Sequence, residues 1–545
     1  MRRIAILLPF FIAAFSFSFT CLAQGGTPTL PRGGYVPGEL IIHVASPLTT
    51  QEAEDHFQMI GLPVNATQLT LDGTYFLIKI DLRGPRPNPQ LDLIQETFVE
   101  RFMCEEIEGN PGEGSTTEVD GIWPNYVVDP GDLYVNDALG GATGSSCFVV
   151  DADAYNPLGN CPVRRELPNP PVEETKVSVA IMDTGLNPFN FPHLFSDLSE
   201  GVSIVNWHPV EATDYMDSPP GVDVNGHGTA VAALVAHRFY ETEKLDHLQL
   251  HSFPILNEHG KGTVAALINS LDQAITQEVD IINLSLGFVR DECDENVSAL
   301  LTPLFIRAEA AEILIFTSAG NDGVGLAEHP QYPANSSPSF PLLFTVGASR
   351  CADESTWIKS NFDKNIVDFT APGQNITVPY PKDGCYILAS GTSFASPLSA
   401  SIAAALRSNH SASRTACMLE SRIALPNGGP IPGADESRLG SISFLESTFS
   451  GECEGGGGVA TLANFSETTA VFPNPVGSVL NVPVTEEEIA TKATLGISDL
   501  GGRNFFQAQA NSPLIKVSTK ELPAGVYVLS VTNGKKTRVV KIIKH

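Results

Sequence analysis

From Val177 onward the chain alternates between two textures, and this alternation constrains its fold more than any other feature. The runs "VSVAIMD", "VDIINLSLG", "EILIFTSAG" and "PLLFTVGAS" are apolar almost without interruption, as a strand reads when both its faces are buried in a parallel sheet. Interleaved with them and after them lie "GTAVAALVAHRFY", "TVAALINSLDQAI" and "SPLSASIAAALRSN", whose apolar residues recur at helical spacing. Strands joined by helical crossovers predict an α/β, doubly wound, mainly parallel sheet. At 545 residues the chain exceeds that sheet, and a prior of about 150 residues per domain implies several units.

The flanks differ in texture. Residues 1–23 begin with Met1-Arg2-Arg3, continue through an apolar run and end in small residues, which predicts a signal peptide. A membrane anchor fits less well, because Pro9 and several serines interrupt the run. Residues 24–130 read as strand, amphipathic helix and strand, a small α+β unit closing near "IWPNYVVDPGD", where Pro124, Pro130 and Gly131 break the pattern. The sheet domain is expected over 131–450, a Gly-rich linker over 451–458, and a β-sandwich of short alternating strands over 459–545.

Charge and cysteine content narrow the setting. The chain carries 32 Lys+Arg against 62 Asp+Glu, a net charge of −30, which repels phosphate backbones and makes nucleic acid an unsuitable partner. Of nine cysteines, eight remain after the leader, an even number in a chain bound for an oxidising compartment. Cys147 with Cys161 is the first expected disulfide; Cys351 with Cys385 and Cys417 with Cys453 follow. No C-x-x-C spacing and no D-x-D-x-D-G loop occurs, so no metal ligands are assigned. Asp197, Asp214, Asp217 and Asp223 are read as solvated loop carboxylates, and His237, His247, His251 and His259 as surface or packing residues.

Four segments stand where an open α/β sheet places its ligands, at strand ends and helix starts. Asp183 ends "VAIMD", His227 opens the helix in "NGHGTAVA", Asn321 follows a strand in "SAGND", and Ser393 opens the helix in "GTSFASP". A serine hydroxyl needs a base to become a nucleophile, histidine suits that role near neutral pH, and a carboxylate orients the imidazole. Asn321 supplies a side-chain N–H where negative charge would develop.

In this order the segments resemble the subtilisin-like serine proteases, the subtilases, over about residues 130–450. The resemblance implies a secreted serine endopeptidase with Asp183, His227 and Ser393 as catalytic residues and Asn321 in the oxyanion hole. It further implies that Gly260, Lys261 and Gly262 pair with substrate backbone, and that Val264 and Leu267 line an apolar subsite. Ser285, Leu286 and Gly287, with Ser318, Ala319 and Gly320, would wall the primary specificity pocket, and Asp322 and Gln331 would lend it polar character. Residues 24–130 look like the family's propeptide. No cofactor is required for the chemistry, although the family admits structural calcium. The motifs "VFPNPVGSVLNV", "ISDLGGR" and "LPAGVYVLSV", with the terminal basic stretch, resemble the type A sorting domain of the type IX secretion system. The implied partners are protein or peptide substrates and that secretion machinery, with no transmembrane helix left after signal removal. The expected form is a monomer, secreted or attached to the outer-membrane surface. The competing expectation, a cell-surface binding or adhesion protein that keeps the scaffold, would show as a lost triad or oxyanion residue, and none is lost in the sequence.

Overall fold

The computed structural model describes residues 34–44, 47–58, 64–80, 119–131, 134–135, 156–158, 176–195, 202–207, 223–289, 297–350, 355–380 and 385–423, and in the C-terminal region 479–484, 489–490, 492–499, 504–512, 514–520, 522, 525–532 and 537–544. The expected leader, linker and Cys147–Cys161 pair, and Asp197, Asp214 and Asp217, lie outside these residues. The chain divides into two compact units, one ending at Gly451 and the other starting at Glu452.

The first unit is organised by a seven-stranded sheet. Its strands are β6 (Val177–Asp183), β7 (Ser203–Asn206), β8 (Leu248–Pro254), β10 (Ile281–Leu284), β12 (Leu314–Ser318), β14 (Leu343–Ser349) and β15 (Phe369–Pro372). They lie in the order β15-β14-β12-β10-β6-β8-β7, with every pairing parallel. All four apolar runs singled out in the sequence are strands of this sheet, and β10, β12 and β14 are buried at every position. The strand order reverses at β6, and the carboxyl end of a strand at such a switch point is where open α/β sheets form their ligand crevice.

Helices His227–Glu241 and Thr392–Arg407 are buried almost all round, through Phe239 and Leu406 respectively. Both are rich in Ala, and the second in Ser as well, rather than strongly amphipathic, because each packs against the other as well as the sheet and small side chains permit the close approach. Gly228 shows how tight the fit is: a Cβ there would collide with the carbonyl oxygen of Gly185.

The described residues between 34 and 131 form an antiparallel sheet of β1 (Tyr35–Val44), β2 (Val64–Gln68), β3 (Tyr75–Ile80) and β4 (Val119–Val128), with the helix Thr50–Gln58. The last strand corrects the sequence reading at Pro124. Proline does not end the pattern; it sits inside β4 opposite Leu40, where the register with β1 shifts, the kind of irregular position at which a missing N–H is tolerated. The sheet continues through β4 onto β9 (Gly262–Thr263) in the order β2-β3-β1-β4-β9. Its inner face shares one apolar core with the central body, where Tyr75, Trp123, Tyr126 and Val128 meet Val264, Leu267 and Leu271. Polar clamps frame this core. Leu71 N donates to Asp272 Oδ2 at 2.7 Å, Arg307 Nη1 reaches Asp272 Oδ1 at 2.6 Å, and Asn269 Nδ2 donates to the Leu69 carbonyl at 2.7 Å.

The second unit has two antiparallel sheets, β18 (Val479–Pro483) with β21 (Leu514–Ser518), and β19 (Thr494–Asp499), β20 (Asn504–Gln509), β22 (Gly525–Thr532) and β23 (Thr537–Lys544) in the order β20-β19-β22-β23. Alternate residues from both sheets, among them Leu480, Val482, Val517, Leu495, Leu529 and Ile542, build a single core, the packing of a small sandwich. Cys385 and Cys417 are each disulfide-bonded; their expected partners lie outside the described residues.

One packing histidine carries a stability prediction. Burial holds His237 well below its ordinary value, at about 4, against an upward pull from Glu241 and a further downward push from Arg238. The depressed group is a base, so the folded state binds its proton later than the unfolded chain does. Stability is unaffected above about pH 6.5 and drains away as the pH falls from there toward 4. At 1.36 kcal/mol per unit the loss reaches about 3 kcal/mol. The melting temperature of His237→Gln should therefore fall less than that of the wild type over this interval; parallel curves would refute the assignment.

Candidate active site

Asp183 closes β6 and is fully buried. Its Oδ1 accepts the backbone N–H of Thr184 at 2.7 Å, which fixes the carboxylate plane. The His227 ring places Nδ1 2.8 Å from Oδ1 and 3.0 Å from Oδ2, and stands 5.8 Å from the Phe394 ring. Nε2 faces the other way, with no hydrogen-bond partner among the described residues. Burial, the largest single influence, disfavours the imidazolium, but the charge and hydrogen bond of Asp183, helped by the charge of Asp223, outweigh it and raise the His227 pKa above 6.5.

Asp223 corrects the sequence reading as well. It is not a solvated loop carboxylate but a buried one, 1% exposed. It accepts four hydrogen bonds: Gly226 N at 2.6 Å and Thr184 Oγ1 at 2.9 Å on Oδ1, and Thr229 Oγ1 at 2.6 Å and Thr229 N at 2.8 Å on Oδ2. Burial raises its pKa against the pull of these bonds. The group satisfies backbone donors at the start of the His227 helix, where Gly226 adopts φ +102°, and so sets where the imidazole begins. Its sequence signal was a capping one: Asp223 stands a few residues before a helix that opens on His-Gly-Thr.

Ser393 lies in the first turn of its helix. Pro397 follows four residues later and has no N–H to give the Ser393 carbonyl, and that carbonyl instead accepts from Ser285 Oγ at 2.9 Å. Asn283 Nδ2 donates to the same Ser285 hydroxyl at 2.9 Å, and Ser396 Oγ donates to Asn283 Oδ1 at 2.9 Å. The turn that carries Ser393 is thereby laced to β10 through a proline defect. Asn321 is oriented by the same turn: Thr392 N and Thr392 Oγ1 donate to its Oδ1 at 2.8 and 2.9 Å. This leaves its Nδ2 beside Gly391, where an added Cβ would stand 3.3 Å away.

Across this surface runs the protein's own chain. Val127 and Val128 pair antiparallel with Thr263 and Gly262. Asp129 exchanges both backbone bonds with Gly287, at 2.9 and 2.8 Å. Ser393 Oγ donates to the carbonyl of Pro130 at 3.1 Å. Tyr134 and Val135 then pair antiparallel with Ser390 and Ala389 of β17 (Cys385–Ser390). Of the remaining sequence-derived residues, Gly287, Ser318, Gly320 and Gln331 line a cavity of about 10 Å³ beside Asp129 and Gly131, and Gln331 Nε2 donates to Asp322 Oδ2 at 2.7 Å. Leu286 and Ala319 are fully buried behind it, while Val264 and Leu267 sit in the core that also holds Val128. Gly260 takes φ +71° and Lys261 reaches Asp129. Among the described residues no group of three or more His, Cys, Asp or Glu could hold a metal ion, and no helix is long and apolar enough to cross a membrane.

Fold and site together define a doubly wound α/β chain that carries an aspartate–histidine pair and a helix-start serine at the switch point of its sheet. The chain belongs to the subtilase family. The subtilase family model matches residues 174–422, and subtilisin of Bacillus pumilus is 30% identical over 240 residues, which cover 43% of this chain and 78% of that protein. The intracellular serine protease of Paenibacillus polymyxa is 31% identical, over 41% of this chain and 63% of its own length. The minor extracellular protease Epr of Bacillus subtilis is 28% identical, over 42% of this chain and 32% of its own length. The matches thus span only part of some relatives. A solved lanthipeptide protease aligns at 24% identity and a TM-score of 0.40, covering 50% of this chain and 87% of that one. Residues 470–545 match the secretion system C-terminal sorting domain, a tail that marks secreted proteins delivered outside the cell or held at its outer-membrane surface.

Proposed function

We infer that the protein is a secreted serine endopeptidase, made as a precursor whose residues 24–130 fold against the catalytic body and fill its cleft. The observation that carries this reading is the placement of residues 127–131 and 134–135: backbone pairing on both sides of Ser393, as an added strand, with a peptide carbonyl on its hydroxyl. Main-chain pairing of this kind binds any extended peptide. With Asp129, Pro130 and Gly131 in place, the cavity beside them has room for about one water molecule.

The chemistry follows from the same atoms. Ser393 Oγ turns from Pro130 toward His227, whose Nε2 takes the hydroxyl proton as Oγ attacks the carbonyl carbon of a bound peptide. Asp183 holds Nδ1–H and stabilises the imidazolium. The oxyanion receives Asn321 Nδ2, a donor worth about 3 to 4 kcal/mol in such a site. The protonated His227 then gives its proton to the leaving amine, the C–N bond breaks, and water repeats the sequence on the acyl-serine. A covalent probe tests this assignment. A fluorophosphonate should attach to one serine, Ser393, at a rate that falls with acid; labelling elsewhere, or none in secreted protein that is folded, would sink the reading.

A further inference from the structure

We propose that Lys261 makes the cleft select an aspartate at the substrate position that pairs with Gly287, a reading that rests on the peptidase assignment above. Two kinds of contact meet at Asp129. Its backbone exchanges bonds with Gly287, and any residue could do that. Its side chain does what few could: Oδ2 accepts from Lys261 Nζ at 2.6 Å, while Oδ1 accepts the N–H of Gly131 at 2.8 Å. The carboxylate is 9% exposed and the lysine side chain 28%, so the pair is screened less than an open surface pair.

The cation belongs to the body of the protein rather than to the segment. Lys261 ends a closed turn in which its N–H donates to Asn257 Oδ1 at 2.9 Å, Asn257 N donates to its carbonyl at 2.8 Å, and Gly260 N donates to the Asn257 carbonyl at 2.9 Å. None of these bonds uses residues 119–131, so the backbone that carries the lysine stays in place when another peptide occupies the cleft, and the ammonium remains within reach of it. In a chain of net charge −30 this local cation decides whether an acidic side chain is attracted or repelled here. Geometry narrows the choice further. Asparagine keeps the bond to the N–H two residues on but loses the charge; glutamate keeps the charge but is one methylene too long for that bond; lysine meets a like charge.

The test uses decapeptides with the sequence of residues 126–135, holding Asp, Asn or Lys at the position of Asp129, offered to the full chain. All three face the same competition from the protein's own segment, so ratios of kcat/KM are informative. Asp should exceed Asn by roughly tenfold and Lys by more, and Lys261→Glu should reverse the order of Asp and Lys. Equal values in the wild type overturn the proposal. A second arm needs no catalysis: in a Ser393→Ala background, Lys261→Ala should speed hydrogen exchange of the Asp129 amide by roughly tenfold, and unchanged protection also overturns it. If the secreted wild type, freed of residues 24–130, cleaves neither these peptides nor unfolded casein, the peptidase reading fails, while the exchange arm, read on the intact chain, still decides the role of Lys261.

Discussion

Ser393→Ala is expected to lower the rate of casein hydrolysis roughly 10⁴-fold or more while leaving the fold intact. The size of the effect follows from the cooperation of the groups: without the nucleophile, His227 has no proton to take and Asn321 no serine-bound oxyanion to meet, so the members fail together. Folding should survive because the lost hydroxyl contributes mainly one hydrogen bond, to the Pro130 carbonyl, and a single such bond is worth about 1 kcal/mol. The tie from Ser285 to the Ser393 carbonyl is to backbone and persists in the variant. If the variant chain is also secreted with residues 24–130 still attached, processing is the protein's own act. Equal hydrolysis by wild type and variant would hand the activity to another group or a contaminant. Absence of hydrolysis by a folded wild type freed of residues 24–130 would favour the binding-protein alternative.

What the sequence made legible, and what it hid, divides along a physical line. Residues that must be chemically particular appear as motifs, so Asp183, His227, Asn321 and Ser393 could be named from short segments alone, and the strands that carry them are evident because burial on both faces forces apolar runs. Residues that act by filling a hydrogen-bond vacancy were hidden, because many side chains and many positions could fill it. Asp223 looked like one loop carboxylate among four, although it is sealed under the His227 helix. Ser285 looked like a pocket wall, although Pro397 leaves a carbonyl for it to satisfy. Pro124 read as a boundary because the helix and strand rules penalise proline locally, whereas the bulge that accommodates it is set by the partner strand. The pairing of Asp129 with Lys261 spans 132 positions, a separation over which no periodicity in either segment carries information.

Asp183→Asn tests the electrostatics rather than the nucleophile, and two results are expected together. The first is a fall in kcat of about 10⁴, because an amide in place of the carboxylate can donate to Nδ1 and so hold the imidazole in the tautomer that carries its proton on Nε2, where it cannot take another from Ser393. The second concerns pH. The base must be neutral to act, so wild-type kcat/KM should be lost as the pH falls through the His227 pKa, which lies above 6.5 because the charge and hydrogen bond of Asp183, with the charge of Asp223, outweigh burial. Asparagine removes both of those upward influences and leaves burial, with the charge of Asp223 acting alone against it. The acid limb of the residual activity should therefore move to lower pH even as the plateau collapses. A purely structural role for Asp183 would lower the plateau and leave the limb where it was. A limb that stays put, or moves up, would therefore show that something other than this carboxylate sets the basicity of His227, and Asp223, buried and charged beside the same helix, would be the next residue to replace.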